Sequence, residues 1–353
     1  MKIEINHEKP YRRTRLSDYV LVTGGAGYIG SHSVLALMEA GYNPIVLDNF
    51  SNSSKESITG IGKIFGNTPI VIEGDVGNSS LVMDIFSNYD VNSVLHFSGL
   101  KSVEESMADP LKYYIENVGS SLSLLRTMQA ASIHTIIFSS SATVYDPESQ
   151  VPYTENSPTN PINPYGHTKL CIEQILQGLV GSNPKWRVGI LRYFNPVGAH
   201  PSGHIGEDPK QTPNNLMPLL MQTAIGRKEK LLIFGDDYDT PDGTCIRDYI
   251  HVLDLARGHL SALSYLERHQ GLHIWNLGTG TGTSIKELVD KVREVTGVEI
   301  KTEITSRRLG DSSKAVADPE KAKSELSWHP EYSIGNMCAD HWNWQRQNPD
   351  GYQ

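Results

Sequence analysis

Residues 20–30 read Val-Leu-Val-Thr-Gly-Gly-Ala-Gly-Tyr-Ile-Gly, a β-branched run that leads directly into glycines and then into a helical pattern. At such a strand-to-helix turn the first glycine permits the tight turn, the second lets the backbone approach a pyrophosphate, and the third lets the helix pack closely on the strand. The start of the helix adds N–H donors and a positive dipole end. The stretch therefore predicts a dinucleotide-binding turn rather than a turn that only packs. Its predicted cofactor contacts are Gly24, Gly27, Tyr28, Ile29 and Gly30.

Acidic residues follow the next two predicted strands. Asp48 stands about 20 residues beyond the glycines, where a carboxylate can accept hydrogen bonds from ribose hydroxyls. Asp48 would repel a ribose 2′-phosphate, and Asn49 rather than an arginine follows it, so NAD is favoured over NADP. Asp75, with Val76, suits the adenine edge, although a lone Asp at a strand end is equally explained as a helix cap. We predict that Asp48, Asn49, Asp75 and Val76 contact the cofactor.

Short β-branched segments alternate with longer helical patterns through the first half of the chain, which is typical of a parallel sheet covered on both faces. The predicted fold class is α/β, a Rossmann-like doubly wound parallel sheet with a second, smaller α/β substrate lobe. Ligands should then bind outside the carboxyl ends of the strands. Strands are predicted at 20–23, 44–48, 69–73, 93–97, 135–139 and 187–192, and helices at 29–40, 79–87, 111–131 and 165–179.

The sequence pattern changes after Asn195, where proline and glycine become frequent and the alternation of strand and helix patterns becomes irregular. We divide the chain into an N-terminal extension (1–18), a NAD-binding domain (19–195) and a substrate lobe (196–353). The apolar run 274–277 is compatible with a strand of either part, so some segments of the lobe can return to the first domain.

Composition excludes several functional classes. The 353 residues exceed the roughly 100–200 of one usual domain. Lys and Arg number 31 against 40 Asp and Glu, a formal net charge of −9, which lacks the electrostatic footprint of a nucleic-acid binder. We find neither an apolar stretch of about 20 residues nor a signal-like N-terminus, and expect a cytoplasmic protein that does not bind membranes. Three scattered cysteines predict neither a disulfide framework nor a metal site.

A tyrosine and a lysine lie one helical turn apart. Asn163 is a capping residue and Pro164 suits a first helical turn, so Tyr165 and Lys169 fall at i and i+4 on one helix face. A tyrosine of pKa about 10 is a poor base at neutral pH, but a nearby ammonium and a cationic nicotinamide both favour the phenolate. Taken alone the pair would indicate an exposed helix face. Downstream of a dinucleotide-binding turn, it predicts a general base.

Three serines end the predicted fifth strand, at the edge where a nicotinamide and its substrate should meet. Ser141 can bond a reacting hydroxyl and relay its proton to Tyr165. Ser140 is readily explained as a loop cap. Ala142 and Thr143 follow, so no acid stands directly after Ser141.

Several motifs in register resemble the extended short-chain dehydrogenase/reductase family, from about Val20 to the C-terminus. They are VTGGAGYIGSH, HFSGLKSVEES, FSSSATVY, PYGHTKL, LRYFNPVGAHPSG, IRDYIHVLDLA and RRLGD. The closest likeness is to members that epimerise UDP-hexoses at C4. It implies reversible interconversion of UDP-glucose and UDP-galactose through a 4-keto sugar and bound NADH, in galactose metabolism. It also implies a homodimer that pairs through the helices near 111–131 and 165–179, although the apolar positions of these helices are also explained by a wholly internal core.

The resemblance also suggests residue roles. Lys101 would bind the cofactor phosphate and Lys169 the nicotinamide ribose, while Tyr193 would form the pocket wall near the nicotinamide. Further cofactor contacts would be Phe97, Asn117 and Ser139. The UDP-sugar would be held by Asn195, Asn215, Leu216, Leu232, Ile233, Phe234, Arg247, Arg308 and Asp311. The chemistry of Arg247 and Arg308 supports this role, because a guanidinium group binds phosphate oxygens through two hydrogen bonds and a diphosphate needs more than one cation.

Ala315, four residues after Asp311, departs from the large tyrosine that is associated in the family with exclusion of N-acetylated sugars. A small residue there implies a roomier sugar pocket and possible acceptance of UDP-N-acetylhexosamines.

Three alternatives share parts of the pattern. A nucleotide-sugar 4,6-dehydratase or decarboxylase needs an extra acid just after the strand-five hydroxyls, where Ala142-Thr143 stands. A non-catalytic NAD-sensing protein would not need Tyr165, Lys169 and two diphosphate arginines. A plain alcohol dehydrogenase would release reduced cofactor in each turnover.

Overall fold

A computed structural model describes residues 19–210, 213, 215–308 and 311–352. The N-terminal extension predicted at 1–18 lies outside the described residues. The strands are β1 (Tyr19–Thr23), β2 (Asn43–Asp48), β3 (Ile70–Glu73), β4 (Val91–His96), β5 (Thr135–Ser139), β6 (Arg187–Tyr193), β7 (Asn195–Val197), β8 (Leu231–Phe234), β9 (Ile246–His251), β10 (Gly271–Leu277), β11 (Gly282–Ser284), β12 (Thr302–Thr305) and β13 (Lys314–Ala315).

The helices cover both faces of the main sheet and fill the lobe. They are α1 (Tyr28–Glu39), α2 (Glu56–Phe65), α3 (Ser79–Asn88), α4 (Val103–Ala108), α5 (Pro110–Tyr113), α6 (Ser120–Ala130), α7 (Pro164–Ser182), α8 (Leu216–Ala224), α9 (Val252–Leu266), α10 (Ile285–Thr296), α11 (Glu320–Leu326) and α12 (Ile334–Gln347). A π-helical segment, Tyr114–Gly119, joins α5 to α6, and a 3₁₀ turn, Ala142–Val144, follows β5.

The main sheet has seven strands in the order β10-β6-β5-β4-β1-β2-β3, all parallel. The strand order reverses between β1 and β4, and in doubly wound sheets ligands bind in the crevice at that switch point. The predicted fold class is confirmed. The carboxyl ends of β1, β2, β4, β5 and β6 carry the glycine turn, Asp48, Phe97, the three serines and Tyr193.

The predicted strands and helices of the first half match the structure with three differences, one of which is that the short helix α4 was not predicted. The helix predicted at 111–131 is broken into α5, the π segment and α6. Helix α2 was not predicted, because its two glycines weaken a helical pattern. Gly60 is needed there, since a Cβ at this position would lie 2.3 Å from the His204 carbonyl oxygen.

The chain returns to the main sheet after entering the lobe. The apolar run 274–277 belongs to β10, which pairs with β6 along its whole length. Helix α9 shares one hydrophobic core with α1, in which Val34, Leu35 and Leu37 meet Leu255 and Leu263. The division at residue 195 remains a prediction, and α9 and β10 are the segments that return.

The lobe has its own small sheets and core. Strand β9 pairs with β7, β11 and β13, and β8 pairs with β12. Helices α8, α10 and α12 pack around a separate apolar cluster that includes Leu220, Ile233, Leu288 and Met337. In the described part of the chain, none of the helices has the length and apolar character required to cross a membrane.

Candidate active site

The glycine turn after β1 fits a dinucleotide phosphate. Gly24 has a φ of +69°, a left-handed conformation that favours glycine. A Cβ at Gly30 would lie 2.2 Å from the Gly24 carbonyl oxygen, so the approach of α1 to the turn requires glycine. Among the described residues no side chain caps α1 at Gly27, and its first turn carries no acid. The N–H donors and dipole of the helix are therefore left for an anion.

Asp48 fixes this turn to the end of β2. Its carboxylate accepts hydrogen bonds from the Ala26 amide at 3.0 Å, the Phe50 amide at 2.9 Å and the Ser53 hydroxyl at 2.8 Å. A carboxylate has about four acceptor positions, so one remains for a ribose hydroxyl. The predicted role of Asp48 thus includes organising the backbone that would receive the phosphate.

Asn49 and Asp75 lie side by side at the ends of β2 and β3. The Asn49 amide donates to Asp75 Oδ2 at 3.1 Å, and Asp75 Oδ1 accepts from the Gly77 amide at 2.7 Å. The alternative interpretation of Asp75 as a helix cap is wrong, because Asn78 caps α3 by accepting from Leu81. The Val76 side chain packs into the core of the main sheet.

Asn117 holds the loop that carries Lys101. Asn117 Oδ1 accepts from the Leu100 amide at 2.7 Å, and its Nδ2 donates to the Leu100 carbonyl at 3.1 Å and to Thr168 Oγ1 at 3.1 Å. Lys101 Nζ contacts the buried Glu207 at 3.0 Å. The contact between Lys101 and Glu207 was not predicted, because Glu207 lies 106 residues away in the sequence.

Helix α7 positions the predicted base. Asn163 caps it by accepting from the Gly166 amide at 2.8 Å, and Pro164 opens it as predicted. Tyr165 and Lys169 are both buried on one face. Lys169 Nζ donates to the Ser139 carbonyl at 2.8 Å and lies 5.9 Å from the centroid of the Tyr165 ring. The end of β5 and the start of α7 are thereby tied together.

The three serines have different partners. The Ser139 hydroxyl contacts His259 Nε2 at 3.2 Å. The Ser140 hydroxyl donates to Glu173 Oε1 at 2.5 Å, so its interpretation as a loop cap is wrong. It is Ser141 that caps the turn Ala142–Val144, accepting from the Thr143 amide and hydroxyl at 3.2 and 2.9 Å. The Ser141 hydroxyl also acts to lower the pKa of the Tyr165 phenol, which suits the predicted proton relay.

Burial dominates the electrostatics of this pair. It raises the pKa of the Tyr165 phenol well above its ordinary value, while the Ser141 hydrogen bond acts in the opposite direction. Burial lowers the pKa of Lys169 to about 8, opposed by the charge of Glu173. The ammonium alone therefore does not make Tyr165 a base at neutral pH. A second cation, such as the nicotinamide ring expected from the sequence, would favour the phenolate.

The wall predicted to face the nicotinamide is aromatic. The Phe97 and His259 rings lie 4.7 Å apart, and Tyr193 lies 6.3 Å from His259. Burial raises the pKa of the Tyr193 phenol, and Ser139 acts in the opposite direction. Tyr28 crosses to the lobe, where its hydroxyl donates to the Gly198 carbonyl at 2.7 Å.

The predicted nucleotide-sugar residues gather on the lobe side. Arg247 lies 3.7 Å from Asp311, and the Arg308 guanidinium stacks 4.3 Å above the Phe234 ring. Asn215 precedes α8 and donates to Glu207 at 3.2 Å, and Leu216 opens that helix. Asn195 is exposed at the start of β7.

Two strand positions show how side-chain alternation selects among these residues. Leu232 is 43% exposed, whereas Ile233 is buried in the lobe core. The prediction for Ile233 is therefore wrong for its side chain, since adjacent residues of a strand face opposite sides.

Ala315 pairs with Arg247 across β13 and β9, and packs against the cluster of Val144 and Tyr145 that follows Ser141. Ala315 therefore stands next to Arg247 and to the segment that follows Ser141, and its role in a sugar pocket remains a prediction.

Other polar residues of the site were not singled out from the sequence. Glu173 is one turn beyond Lys169 on α7, and its i, i+4 spacing could have revealed it. Its partner Arg192, at 2.6 Å, lies on β6. Glu207 and His259 could not have been found from local spacing, because each contacts the site through residues that are distant in the sequence.

The fold and these side chains define a dinucleotide-dependent enzyme of the short-chain dehydrogenase/reductase class. A family model described as the NAD dependent epimerase/dehydratase family matches residues 20–278, and the chain belongs to that family. The resemblance inferred from the sequence is confirmed.

Known relatives match almost the whole chain. It is 52% identical over 338 residues to the UDP-glucose 4-epimerase of Dictyostelium discoideum, covering 96% of this chain and 98% of that protein. It is 50% identical over 335 residues to the UDP-glucose 4-epimerase of Yersinia pestis, covering 95% and 99%. The solved UDP-glucose 4-epimerase of Bifidobacterium longum, in complex with NAD+ and UDP, has a TM-score of 0.92 at 44% identity, covering 95% of this chain and all of that one.

The glycine turn gives a test of the cofactor cradle. We expect Gly30→Ala to lose NAD binding and stability, because the added methyl collides with the backbone of the turn. The matched control is Gly178→Ala, where a Cβ meets nothing within 4 Å on the exposed side of α7. It should keep cofactor binding and gain up to about 1 kcal/mol. Urea unfolding and NAD titration measure both, and equal NAD affinity of the two variants would contradict the assignment.

Proposed function

We propose that the protein interconverts UDP-glucose and UDP-galactose by reversible epimerisation at the sugar C4, with NAD as a retained cofactor. The observation that carries this proposal is the position of the buried Tyr165 beside the serine segment at the switch point of the sheet, fixed by the 2.8 Å hydrogen bond from Lys169 Nζ, one turn further along α7, to the Ser139 carbonyl. The near-full-length similarity to UDP-glucose 4-epimerases supports it.

The cofactor would lie along the carboxyl ends of the first strands. The turn at Gly24–Gly30 would hold its pyrophosphate, Asp48 its adenosine ribose and Lys169 its nicotinamide ribose. Bound NAD supplies a reversible hydride acceptor beside the sugar C4, and its cationic ring favours the ionised phenol.

The chain's own residues move the proton. Tyr165 takes the proton of the sugar 4-hydroxyl, directly or through Ser141, as the C4–H bond breaks and C4 becomes a carbonyl. In the return direction Tyr165 gives the proton back when C4 regains hydride on its opposite face. Ser141 accepts two hydrogen bonds from Thr143, and its own hydrogen can point at Tyr165 or at the sugar oxygen. For transfer through Ser141, the sugar hydroxyl would replace the Thr143 hydroxyl as one of the two donors to Ser141, while Ser141 donates its own hydrogen to Tyr165.

The lobe provides a firm grip on the nucleotide and a looser one on the sugar. Arg247 and Arg308 would neutralise the diphosphate, and Asp311 beside Arg247 would accept bonds from ribose hydroxyls. The 4-keto sugar, tethered by its diphosphate, can then present either face to the cofactor. Binding energy is thus placed on the part of the substrate that does not react.

The alternative reactions have less support. Position 142 is an alanine, and the Thr143 hydroxyl is used to hold Ser141, so an acid for elimination at C5 or C6 is missing from this segment of the described chain. A binding protein without catalysis would not require the buried Tyr165 and Lys169. A cytoplasmic location and a role in galactose metabolism are part of the same proposal.

We also propose that the protein acts as a homodimer through the helices before and around the π segment. Large apolar side chains are exposed there, namely Met107, Leu111, Tyr114, Ile115 and Leu122. Exposed apolar patches of this kind mark protein interfaces, and helix faces that pair on a two-fold axis bury the same residues on both subunits.

The catalytic role of Tyr165 can be tested directly. Purified protein given UDP-galactose without added NAD should form UDP-glucose, and Tyr165→Phe should slow this by at least about a hundredfold because the acid-base hydroxyl is lost. Tyr89→Phe, at the end of α3, is the matched control and should keep full activity. The product ratio is followed by anion-exchange chromatography. Full turnover by Tyr165→Phe would overturn the mechanism, and loss of mass from the sugar would favour the dehydratase.

Ala315 sets a separate test of sugar specificity. The wild type should also epimerise UDP-N-acetylglucosamine, and Ala315→Tyr should lower kcat/KM for that substrate by about tenfold or more by filling the pocket. Its effect on UDP-galactose should be much smaller, and Ala315→Ser should change neither. Absence of turnover of UDP-N-acetylglucosamine by the wild type contradicts the roomy pocket.

The dimer proposal is tested by mass in solution. Light scattering during gel filtration should give twice the chain mass of 39.1 kDa, and Leu111→Glu with Ile115→Glu should give the single chain, because charge is not tolerated in a buried apolar contact. Phe65→Glu, at an exposed apolar residue of α2, is the control and should remain dimeric. A wild-type mass of one chain would refute the interface.

A further inference from the structure

A buried chain of hydrogen bonds lies directly behind the catalytic serine. Arg192 Nε donates to Glu173 Oε1 at 3.0 Å and its Nη2 to Glu173 Oε2 at 2.6 Å, a fork-to-fork pair. The Ser140 hydroxyl donates to the same Oε1 at 2.5 Å. All three residues are at least 95% buried. The network joins β6, α7 and the end of β5.

The network continues a regular set of contacts along α7. Tyr165, Lys169 and Glu173 are spaced at i, i+4 and i+8, so they share one helix face. Lys169 donates to the Ser139 carbonyl and Glu173 accepts from the Ser140 hydroxyl, two consecutive residues at the end of β5. The helix therefore holds the serine segment at two points, and the Glu173 point is the one fixed in turn by another strand.

Stability alone does not explain an ion pair at this place. Removing two charges from water costs several kcal/mol per ion, and well-packed apolar residues of similar size often serve as well or better. Arg192 has further partners that hold its position: its Nη1 donates to the Glu155 carbonyl at 3.2 Å, and its guanidinium lies 4.9 Å above the Tyr145 ring. What the pair adds over an apolar contact is a fixed direction for the Ser140 hydrogen bond.

We propose that Glu173 is a positioning residue: held by Arg192, it anchors the Ser140 hydroxyl and so sets the distance between the Ser141 hydroxyl and Tyr165. Ser140 and Ser141 are joined by one peptide bond, so a shift of Ser140 moves Ser141 with it. Displacements near 1 Å can cost about a hundredfold in rate when the reacting groups are otherwise unchanged. The inference rests on the proposed function, because it assigns the support of that same proton relay.

The primary experiment removes the hydroxyl and leaves the ion pair in place. Ser140→Ala should lower kcat for UDP-galactose by about 10- to 100-fold, with KM changed less than about twofold, because the nucleotide grip lies in the lobe. Ser140→Cys, which keeps a weak donor, should give an intermediate kcat. Ser93→Ala, at another buried serine near the start of β4, is the matched control and should leave kcat unchanged.

A second set of variants separates positioning from folding. Glu173→Gln should lower kcat in the same way, and it leaves Arg192 without a charged partner, so it should also lower the free energy of unfolding. The double variant Glu173→Gln with Arg192→Met removes both charges and should recover stability without recovering kcat. Parallel recovery of stability and kcat in the double variant would show that the network acts only through folding.

The outcomes distinguish this inference from the proposed function. Turnover of UDP-galactose by the wild type together with normal kcat in Ser140→Ala overturns the positioning role and leaves the function standing. No turnover by the NAD-loaded wild type overturns the function itself. A rise in KM without a fall in kcat would also contradict the inference, because it would place Ser140 in substrate binding.

Discussion

The hydrogen bond from the buried Lys169 ammonium to the Ser139 carbonyl is the contact on which the rest of the site depends. It joins a helix to the carboxyl end of the fifth strand at the point where the sheet changes direction. Because the Lys169 ammonium is buried, its pKa falls to about 8, which is close to the pH at which it would lose its charge. The same contact brings Tyr165, one helical turn before Lys169, close to Ser141, which lies two residues after Ser139. Lys169 thus both holds the helix against the strand and serves the proposed chemistry.

Around this contact the protein separates two tasks between two kinds of structure. The parallel sheet places backbone donors and a carboxylate where a dinucleotide can lie, and each is fixed by further hydrogen bonds, as Asp48 shows by binding the glycine turn. The lobe offers two arginines, Arg247 on β9 beside Asp311 and Arg308 after β12, stacked on Phe234. A rigid cofactor platform and a tethered but mobile sugar are what a reaction with two opposite hydride faces requires.

The sequence predicted the parts of this arrangement that follow from local rules. The glycine turn, Asp48, and the pair of Tyr165 and Lys169 depend on spacing within one turn or one helix, and the structure has the turn and the helix face where the spacing puts them. The parts that failed depend on distant partners. Helix α2 was hidden by Gly60, which is there for a loop 144 positions later in the chain. Ile233 was assigned with its neighbours although strand alternation turns it inward, and Glu207 meets Lys101 only through the fold.

The position of β10 in the main sheet bears on how the chain folds during synthesis. This edge strand ends at residue 277 of 353 and covers β6, which ends at residue 193. A ribosome therefore has to release about half of the lobe before the sheet can close, and until then β6 offers an unpaired apolar edge. Such edges recruit other chains. Nascent molecules would consequently be most vulnerable to aggregation over the interval in which the lobe is emerging, and a holding chaperone would act best there.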